Sequence, residues 1–297
     1  MSRRGLGLAA FLLLTFGATY GVEFAVLGRM SAAGPGYVAV LTGVMFIPGL
    51  SALAVRRFVE RGGFGDAGLH WGAGRWYLVA WLLPPALGAA AMALTVVFGQ
   101  AEFDPWMTEM AVRMHMVAPN VPMPPVHVLQ ARVIGFALTA AVVVNSVAAF
   151  GEEFGWRGYL LMRLLPLGTG RAVALTGVIW GLWHTPIVLQ GHNYPEHPQA
   201  GVALMTGFCI LLGAILAWLR LASGSVFPAA VAHGSANGPG STPLLFLRGR
   251  SDLTGGLTGL IGQAVMAAVV CGLWRAGAFR GWRAEAAGPA EAAQPGG

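Results

Sequence analysis

The sequence predicts an all-α polytopic membrane protein. Three observations support this fold class: a high apolar content, a scarcity of charge, and a series of long apolar segments. Apolar residues make up 56% of the 297 residues, charged residues only 10%, and the mean hydropathy is +0.66. A soluble domain carries about 25% charged residues because its surface must meet water. A chain this poor in charge needs lipid to cover it.

Eight segments are candidates for membrane spans, since about 20 mostly apolar residues are needed to cross the hydrocarbon core. The fifth and seventh are interrupted or short and carry histidine, which is typical of helices that line a cavity. We therefore predict one bundle of about eight helices with a central polar cavity. It occupies residues 1–283, with a motif-bearing core at about 128–240 and a disordered tail at 284–297. The candidate segments are 5–27, 36–55, 76–99, 128–151, 172–190, 201–219, 225–238 and 257–274.

The connecting segments differ in character. The first apolar segment is too long for the core of a signal peptide and lacks a small-residue cleavage site, so we expect a retained span. Residues 56–75 are rich in Gly and Arg and contain Trp71, which is typical of an interfacial loop or short surface helix. Residues 100–127 are rich in proline, and we expect an outer loop that caps the bundle.

The positive charge indicates membrane topology rather than a nucleic-acid partner. All 18 basic residues are arginine, and they fall at the ends of apolar segments, as the positive-inside rule expects. With the N-terminus inside, thirteen arginines, including Arg283, lie inside. This predicts an inner-membrane protein with both termini in the cytoplasm. Cys209 and Cys271 lie within apolar stretches, so no disulfide framework is implied. The outer arginines are Arg29, Arg113, Arg132, Arg248 and Arg250.

The first polar motif stands at the end of the fourth segment, where ionisable residues are expensive and usually functional. Glu152 and Glu153 are adjacent, so on a helix their side chains point about 100° apart. Glu153 and Arg157 are i,i+4 neighbours and can pair. That leaves Glu152 to face a cavity, where a carboxylate near apolar walls is a candidate general base.

Two further motifs follow in the fifth and seventh segments. Trp180 and His184 share one helix face at i,i+4, and Pro186 disturbs the helix just beyond them. His233 and Asn237 form another i,i+4 pair, whose imidazole and amide can donate hydrogen bonds toward an oxyanion.

Each motif alone also has a structural interpretation. A lone intramembrane histidine is often a satisfied contact between helices, and Glu153 with Arg157 is often only a structural pair. We interpret Trp156, Trp180 and Trp183 as packing or interface residues. Three such motifs on three separate segments outweigh these interpretations. Glu23 in the first segment has no partner in the sequence pattern and stays unassigned. His192, Glu196 and His197 form a second, weaker candidate metal cluster.

At these residues the sequence resembles the CPBP family, which contains the type II CAAX prenyl endopeptidases and the bacteriocin-processing enzymes of the Abi group. Its motifs EExxxR, FxxxH and HxxxN read here as Glu152-Glu153…Arg157, Trp180…His184 and His233…Asn237. The likeness covers about residues 128–240, and Trp180 replaces the usual phenylalanine.

The resemblance implies an eight-span intramembrane endopeptidase with a conical cavity open toward the cytoplasm and the bilayer. It also implies that Glu152 and His184 activate water, that His233 and Asn237 form the oxyanion hole, and that Glu153 with Arg157 supports the first motif. No cofactor is certain from the sequence: Glu152, His184 and His233 are a ligand set that Zn²⁺ accepts, whereas a carboxylate can also deprotonate water directly. We favour the metal-free alternative.

The expected partners are the lipid bilayer and a peptide or lipidated protein, cleaved near its C-terminus or in its leader. An arginine-only, Ala/Gly/Pro-rich chain suggests a bacterial source, in which a leader peptide or membrane-protein tail is the expected substrate. The sequence lacks HExxH, and Asp66, Asp104 and Asp252 all lie between apolar segments, which argues against zincin and paired-aspartate proteases. Two alternatives stay open: a non-catalytic immunity or scaffold protein, and an ion-coupled transporter.

Overall fold

A computed structural model describes residues 3–30 and 34–280, so the predicted tail and Arg283 lie outside the described residues. The described chain is mainly helical, which confirms the all-α membrane class. Within it, five helices are long and apolar enough to cross a membrane. The predicted total of about eight spans stays a prediction. The five are Arg3–Arg29, Gly36–Glu60, Gly74–Val97, Val126–Leu167 and Pro198–Ser223.

The long helix Val126–Leu167 is built from shorter α-helical pieces joined by two wide π-helical turns, and the helix Gly36–Glu60 ends in another. The α-helices are α1 (Arg3–Ala25), α2 (Pro35–Val44), α3 (Ile47–Ala54), α4 (Gly74–Val97), α5 (Thr108–Val117), α6 (Val126–Phe136), α7 (Val142–Gly155), α8 (Leu161–Leu164), α9 (Thr169–Trp183), α10 (Thr185–Leu189), α11 (Pro198–Ser223), α12 (Phe227–Asn237) and α13 (Leu260–Arg275). The π-helical turns are Val55–Glu60, Ala137–Ala141 and Trp156–Leu160, and the 3₁₀ turns are Leu27–Arg29, Gly65–Ala67, Leu165–Leu167 and Thr242–Phe246.

Glycines bring α7 against α3. A Cβ atom added to Gly49 would lie 2.6 Å from the carbonyl oxygen of Gly151, and one added to Gly155 would lie 2.5 Å from Pro48. Real Cβ atoms do not approach so closely, so these positions need the smallest residue. Small residues at helix crossings let backbones approach in membranes. This contact fixes the helix end that carries the first motif.

A proline in α4 helps to hold α12. Pro85 has no N–H, so the carbonyl of Trp81 loses its usual helical donor. The hydroxyl of Ser235 donates to that carbonyl oxygen at 2.7 Å. Close by, Gly88 packs so tightly against the carbonyl of Gly240 that an added Cβ would lie 2.1 Å away. Both contacts position the short helix that carries the third motif.

The expected disturbance beside His184 is present. Helix α9 ends at Trp183, His184 lies in a turn, and α10 begins at Thr185. Pro186 removes the helical donor for the carbonyl of Leu182, and the Tyr20 hydroxyl donates to that oxygen at 2.7 Å instead. A residue of α1 therefore satisfies the backbone group that the break exposes.

The segment after Val55–Glu60 is held by an ionic network. Arg56 pairs with Asp66 at 2.6 Å, and Arg163 pairs with Asp66 and with Glu60, both at 2.5 Å. Burial would raise the pKa of the Asp66 carboxyl, but hydrogen bonds from the two guanidinium groups lower it below its ordinary value. The predicted interfacial loop is thus an ordered turn, tied to the helix that follows α7.

The segment predicted as an outer loop has secondary structure of its own. It holds α5 and the strand β1 (Glu102–Phe103), which pairs antiparallel with β2 (Leu247–Arg248). Asp104 accepts hydrogen bonds from the backbone N–H groups of Trp106 at 3.1 Å and Thr108 at 2.7 Å, so it satisfies the first free N–H of α5. Proline content alone did not indicate this helix.

Candidate active site

The three motifs line one cavity of about 410 Å³. Glu152 enters it from α7, His184 from the turn between α9 and α10, and His233 and Asn237 from α12. Glu152 and His233 are almost fully buried, whereas Asn237 is exposed to the cavity. The structure therefore brings together the four residues that the sequence predicted to share a site.

Two indole groups hold the Glu152 carboxylate. The Nε1–H of Trp180 donates to Glu152 Oε2 at 2.7 Å, and that of Trp156 approaches the same oxygen at 3.4 Å. Trp156 and Trp180 therefore do more than fill space, contrary to the packing interpretation. Trp183 lines the cavity as well, and its Nε1–H donates to the hydroxyl of Thr19 on α1 at 2.8 Å, which joins two helices. The other carboxylate oxygen of Glu152 is left for the cavity.

Glu153 joins the first motif to the third. It accepts a hydrogen bond from Arg157 Nη1 at 2.7 Å, which is the predicted i,i+4 pair, and both side chains are fully buried. The same oxygen also accepts from Nδ1 of His233 at 2.9 Å. The motif spacing did not predict this second contact. One carboxylate thus orients both a supporting arginine and a cavity histidine.

The hydrogen bonds of His184 fix its tautomer. Its Nδ1 lies 2.9 Å from the carbonyl oxygen of Trp180. A carbonyl can only accept, so Nδ1 carries the proton. In a neutral ring, Nε2 then has a lone pair that can accept a proton from water. Cys209 Sγ lies 3.7 Å from Nδ1, so the proton-bearing edge of the ring faces protein.

The Trp180 ring separates the two histidines. Its centroid lies 5.7 Å from that of His184 and 5.2 Å from that of His233. The guanidinium carbon of Arg157 lies 4.4 Å from the centroid of the same ring, a cation–π contact. An indole at this position, in place of the usual phenylalanine, keeps the aromatic shape and adds a donor for Glu152.

Further polar residues line the cavity that the sequence did not assign to it, among them Asn145, Glu23 and His192. Asn145 lies seven residues before Glu152 on one helix, so the 3.6-residue period places both on the same face. That signal was available from spacing alone. Glu23 is 1% exposed, and its Oε2 has no hydrogen-bond partner. Because Glu23 lies far from the three motifs in sequence, spacing could not predict its position on the cavity wall. His192 also lines the cavity.

The loop residues predicted as a metal cluster are divided by the structure. His192 faces the cavity, while Glu196 and His197 gather with Asp252, with ligand atoms within 4.8 Å of one another. Asp252 accepts from His197 Nδ1 at 2.7 Å and from the backbone N–H of Glu196 at 2.8 Å. Burial would raise the pKa of Asp252, but these hydrogen bonds lower it. These hydrogen bonds explain why the three residues gather: they anchor the turn before α11.

The residues of the main site do not form a preassembled metal centre. Among the described residues, the group of three donors at metal-binding spacing is the loop cluster, and not Glu152, His184 and His233. The chemistry of these donors suits Zn²⁺, yet the Oε2 atom of Glu152 and Nδ1 of both histidines are occupied by protein partners. A metal role for the three residues stays a prediction.

Comparison with known families gives one match in the motif-bearing region. Residues 133–238 match the family described as type II CAAX prenyl endopeptidase Rce1-like. The match confirms the family resemblance. It contains Glu152, His184, His233 and Asn237 and lies within the predicted core at 128–240. A search of curated proteins found no match to the chain. This similarity and the apolar helices support an intramembrane protease of the CAAX type in general.

Proposed function

We propose that this chain is an intramembrane endopeptidase in which Glu152 and His184 activate the attacking water and His233 with Asn237 stabilises the oxyanion. The observation that supports this best is the meeting of one carboxylate, two imidazoles and one amide from three separate helices in a single cavity. The expected substrate is a peptide or lipidated protein segment at the membrane, cleaved near its C-terminus or in its leader.

Water activation needs an acceptor for the water proton. The free oxygen of Glu152 and the Nε2 lone pair of His184 are both acceptors, because their other polar atoms already have protein partners. The proton taken from water then passes to the amine that leaves, as general acid–base catalysis requires.

Stabilisation of the oxyanion needs donors, and this sets the protonation state of His233. Its Nδ1–H is used by Glu153, so a neutral ring would offer only a lone pair at Nε2. His233 therefore acts as an oxyanion donor when it carries both protons, with the Glu153 carboxylate stabilising the cation. The exposed amide of Asn237 supplies a second donor.

The experiment is cleavage of a panel of quenched-fluorescent peptides, including a farnesylated CAAX peptide, by the purified protein in liposomes. Glu152→Gln and His184→Ala should each lower turnover by about 10²–10⁴-fold, as expected for loss of a general base. Glu102→Gln and His127→Ala, which change exposed residues away from the cavity, are the matched controls.

The proposal fails if both site variants cleave like the wild type. If no peptide is cleaved but Glu152→Gln rescues the biological role, the chain is a non-catalytic membrane partner. Flux of ions into the liposomes without cleavage would instead support a transporter. Metal analysis of the purified protein, with activity measured before and after a chelator, decides whether zinc takes part.

We also propose a bacterial cytoplasmic membrane with both termini inside, because charge is strongly segregated in the structure. Within residues 3–30 and 34–280, the arginine end, where α1 begins and α13 ends, has eleven arginines and two carboxylates, a net charge of +9. The loop end, formed by residues 27–30, 34, 98–132, 190–197 and 238–259, has five arginines and five carboxylates among the residues that the structure describes. Arginine excess marks the cytoplasmic side. At the arginine end lie Arg3, Arg4, Arg56, Arg57, Arg61, Arg75, Arg163, Arg171, Arg220, Arg275 and Arg280, with Glu60 and Asp66. At the loop end lie Arg29, Arg113, Arg132, Arg248 and Arg250, with Glu102, Asp104, Glu109, Glu196 and Asp252.

A further inference from the structure

The lining residues indicate the end of the bundle at which the cavity opens. Its lining includes Asn193 from the 190–197 segment and Ser241 and Thr258 from the 238–259 segment, all at the loop end. Asn193 and Ser241 are exposed. The cavity therefore communicates with the loop end of the bundle.

Toward the arginine end the cavity is closed. Trp156 and Arg157 are fully buried beneath Glu152, and Arg157 stacks on the Trp180 ring. Next to them, Gly155 is in close contact with Pro48 of α3. The ionic network of the arginine end contributes no residue to the cavity wall.

We infer that the cavity receives its substrate from the extracytoplasmic side of the membrane. The net charge of +9 places the closed end in the cytoplasm, because translocating so many arginines is disfavoured. The open end then faces outward, which differs from the cytoplasmic opening implied by the family resemblance. The substrate class that follows is a peptide segment displayed on, or translocated to, the outer face. This inference rests on the proposed function for the substrate, and on the membrane orientation proposed with it for the direction of opening.

The carboxylates of the cavity wall can bind such a segment. Among the residues that the structure describes, the lining contains two carboxylates, Glu23 and Glu152, and no arginine. Backbone N–H groups of a bound peptide segment can donate to these carboxylates.

The direction of opening can be tested by thiol labelling in intact bacterial cells. Both native cysteines are replaced by alanine, and single cysteines are introduced as Ser241→Cys and Glu196→Cys at the loop end and Ala73→Cys at the arginine end. All three sites are exposed. A membrane-impermeant sulfonated maleimide should label the two loop-end cysteines in intact cells. It should label the Ala73→Cys variant only after permeabilisation.

The opposite pattern, with Ala73→Cys labelled in intact cells and the loop-end cysteines protected, would overturn the inference. Labelling does not depend on turnover, so adding Glu152→Gln should leave the pattern unchanged. In sealed vesicles, impermeant sulfonated quenched-fluorescent peptides should be cleaved only when the loop end faces the added peptide. Cleavage only in vesicles of the reverse orientation would also overturn it. No cleavage in either, with the expected labelling, counts against the proposed function alone.

Discussion

Arg157→Met tests the buried contact that connects the first and third motifs. The substitution keeps an apolar chain of similar length but removes the guanidinium that lies 2.7 Å from Glu153. Glu153 then stays buried with His233 as its remaining partner, and one of its oxygens already has no partner. An uncompensated buried charge is the expected result.

The structure sets the size of the effect. Removal of one member of a buried ion pair costs about 3–5 kcal/mol. Because His233 still donates to Glu153, we expect the lower part of that range, about 3 kcal/mol, or a factor of about 150 in the unfolding equilibrium. The double variant Glu153→Gln/Arg157→Met removes both charges and should lose less than the two single losses added together.

Reversible unfolding by SDS in mixed micelles, followed by tryptophan fluorescence, measures these free energies. The control is Arg248→Met, which breaks an exposed pair with Glu102 and should leave the unfolding free energy nearly unchanged. The reasoning is refuted if Arg157→Met is no more destabilising than Arg248→Met, or if the single losses at 153 and 157 are simply additive.

Three further predictions concern backbone contacts and pH. Gly88→Ala should destabilise the fold by about 1–3 kcal/mol, because its Cβ would meet the carbonyl of Gly240. The control is Gly17→Ala, whose Cβ would meet no other atom within 4 Å, and which should be neutral or stabilising in the same assay. Ser235→Ala should cost about 1 kcal/mol, since the carbonyl of Trp81 loses its donor in a part-buried hydrogen bond, and an unchanged midpoint would contradict this. Asp252→Ala should lower the thermal midpoint at pH 7. Folding lowers the pKa of Asp252. Its contribution to stability is therefore complete above the unfolded-state pKa of about 4 and is lost as pH falls through the folded-state pKa. An equal difference in thermal midpoint between wild type and variant at pH 7 and at pH 3 would refute the assignment.

Much of the site could be predicted from local spacing. The pairs Glu153–Arg157, Trp180–His184 and His233–Asn237 follow from the helical period, and the break at His184 follows from Pro186. Apolar composition was sufficient for the membrane class. These are properties of short stretches of chain, and a single sequence contains them in full.

The contacts between helices could not be predicted in this way. Nothing in the spacing shows that Glu153 accepts from His233, 80 residues away, or that two indoles share Glu152. Glu23 reaches the cavity only because α1 packs beside the turn at His184. The helix α5 was missed because the prolines around it dominate the composition, although Asp104 accepts a hydrogen bond from its first N–H.

The tight glycine contacts beneath Glu152 also bear on how well the membrane holds back protons. A water-filled pocket that reaches deep into an energised bilayer shortens the insulating path between the two aqueous compartments. Where Gly155 meets Pro48 and Gly151 meets Gly49, hardly any room is left for a chain of water molecules. The pocket can thus be wet on one side while the membrane keeps its proton gradient.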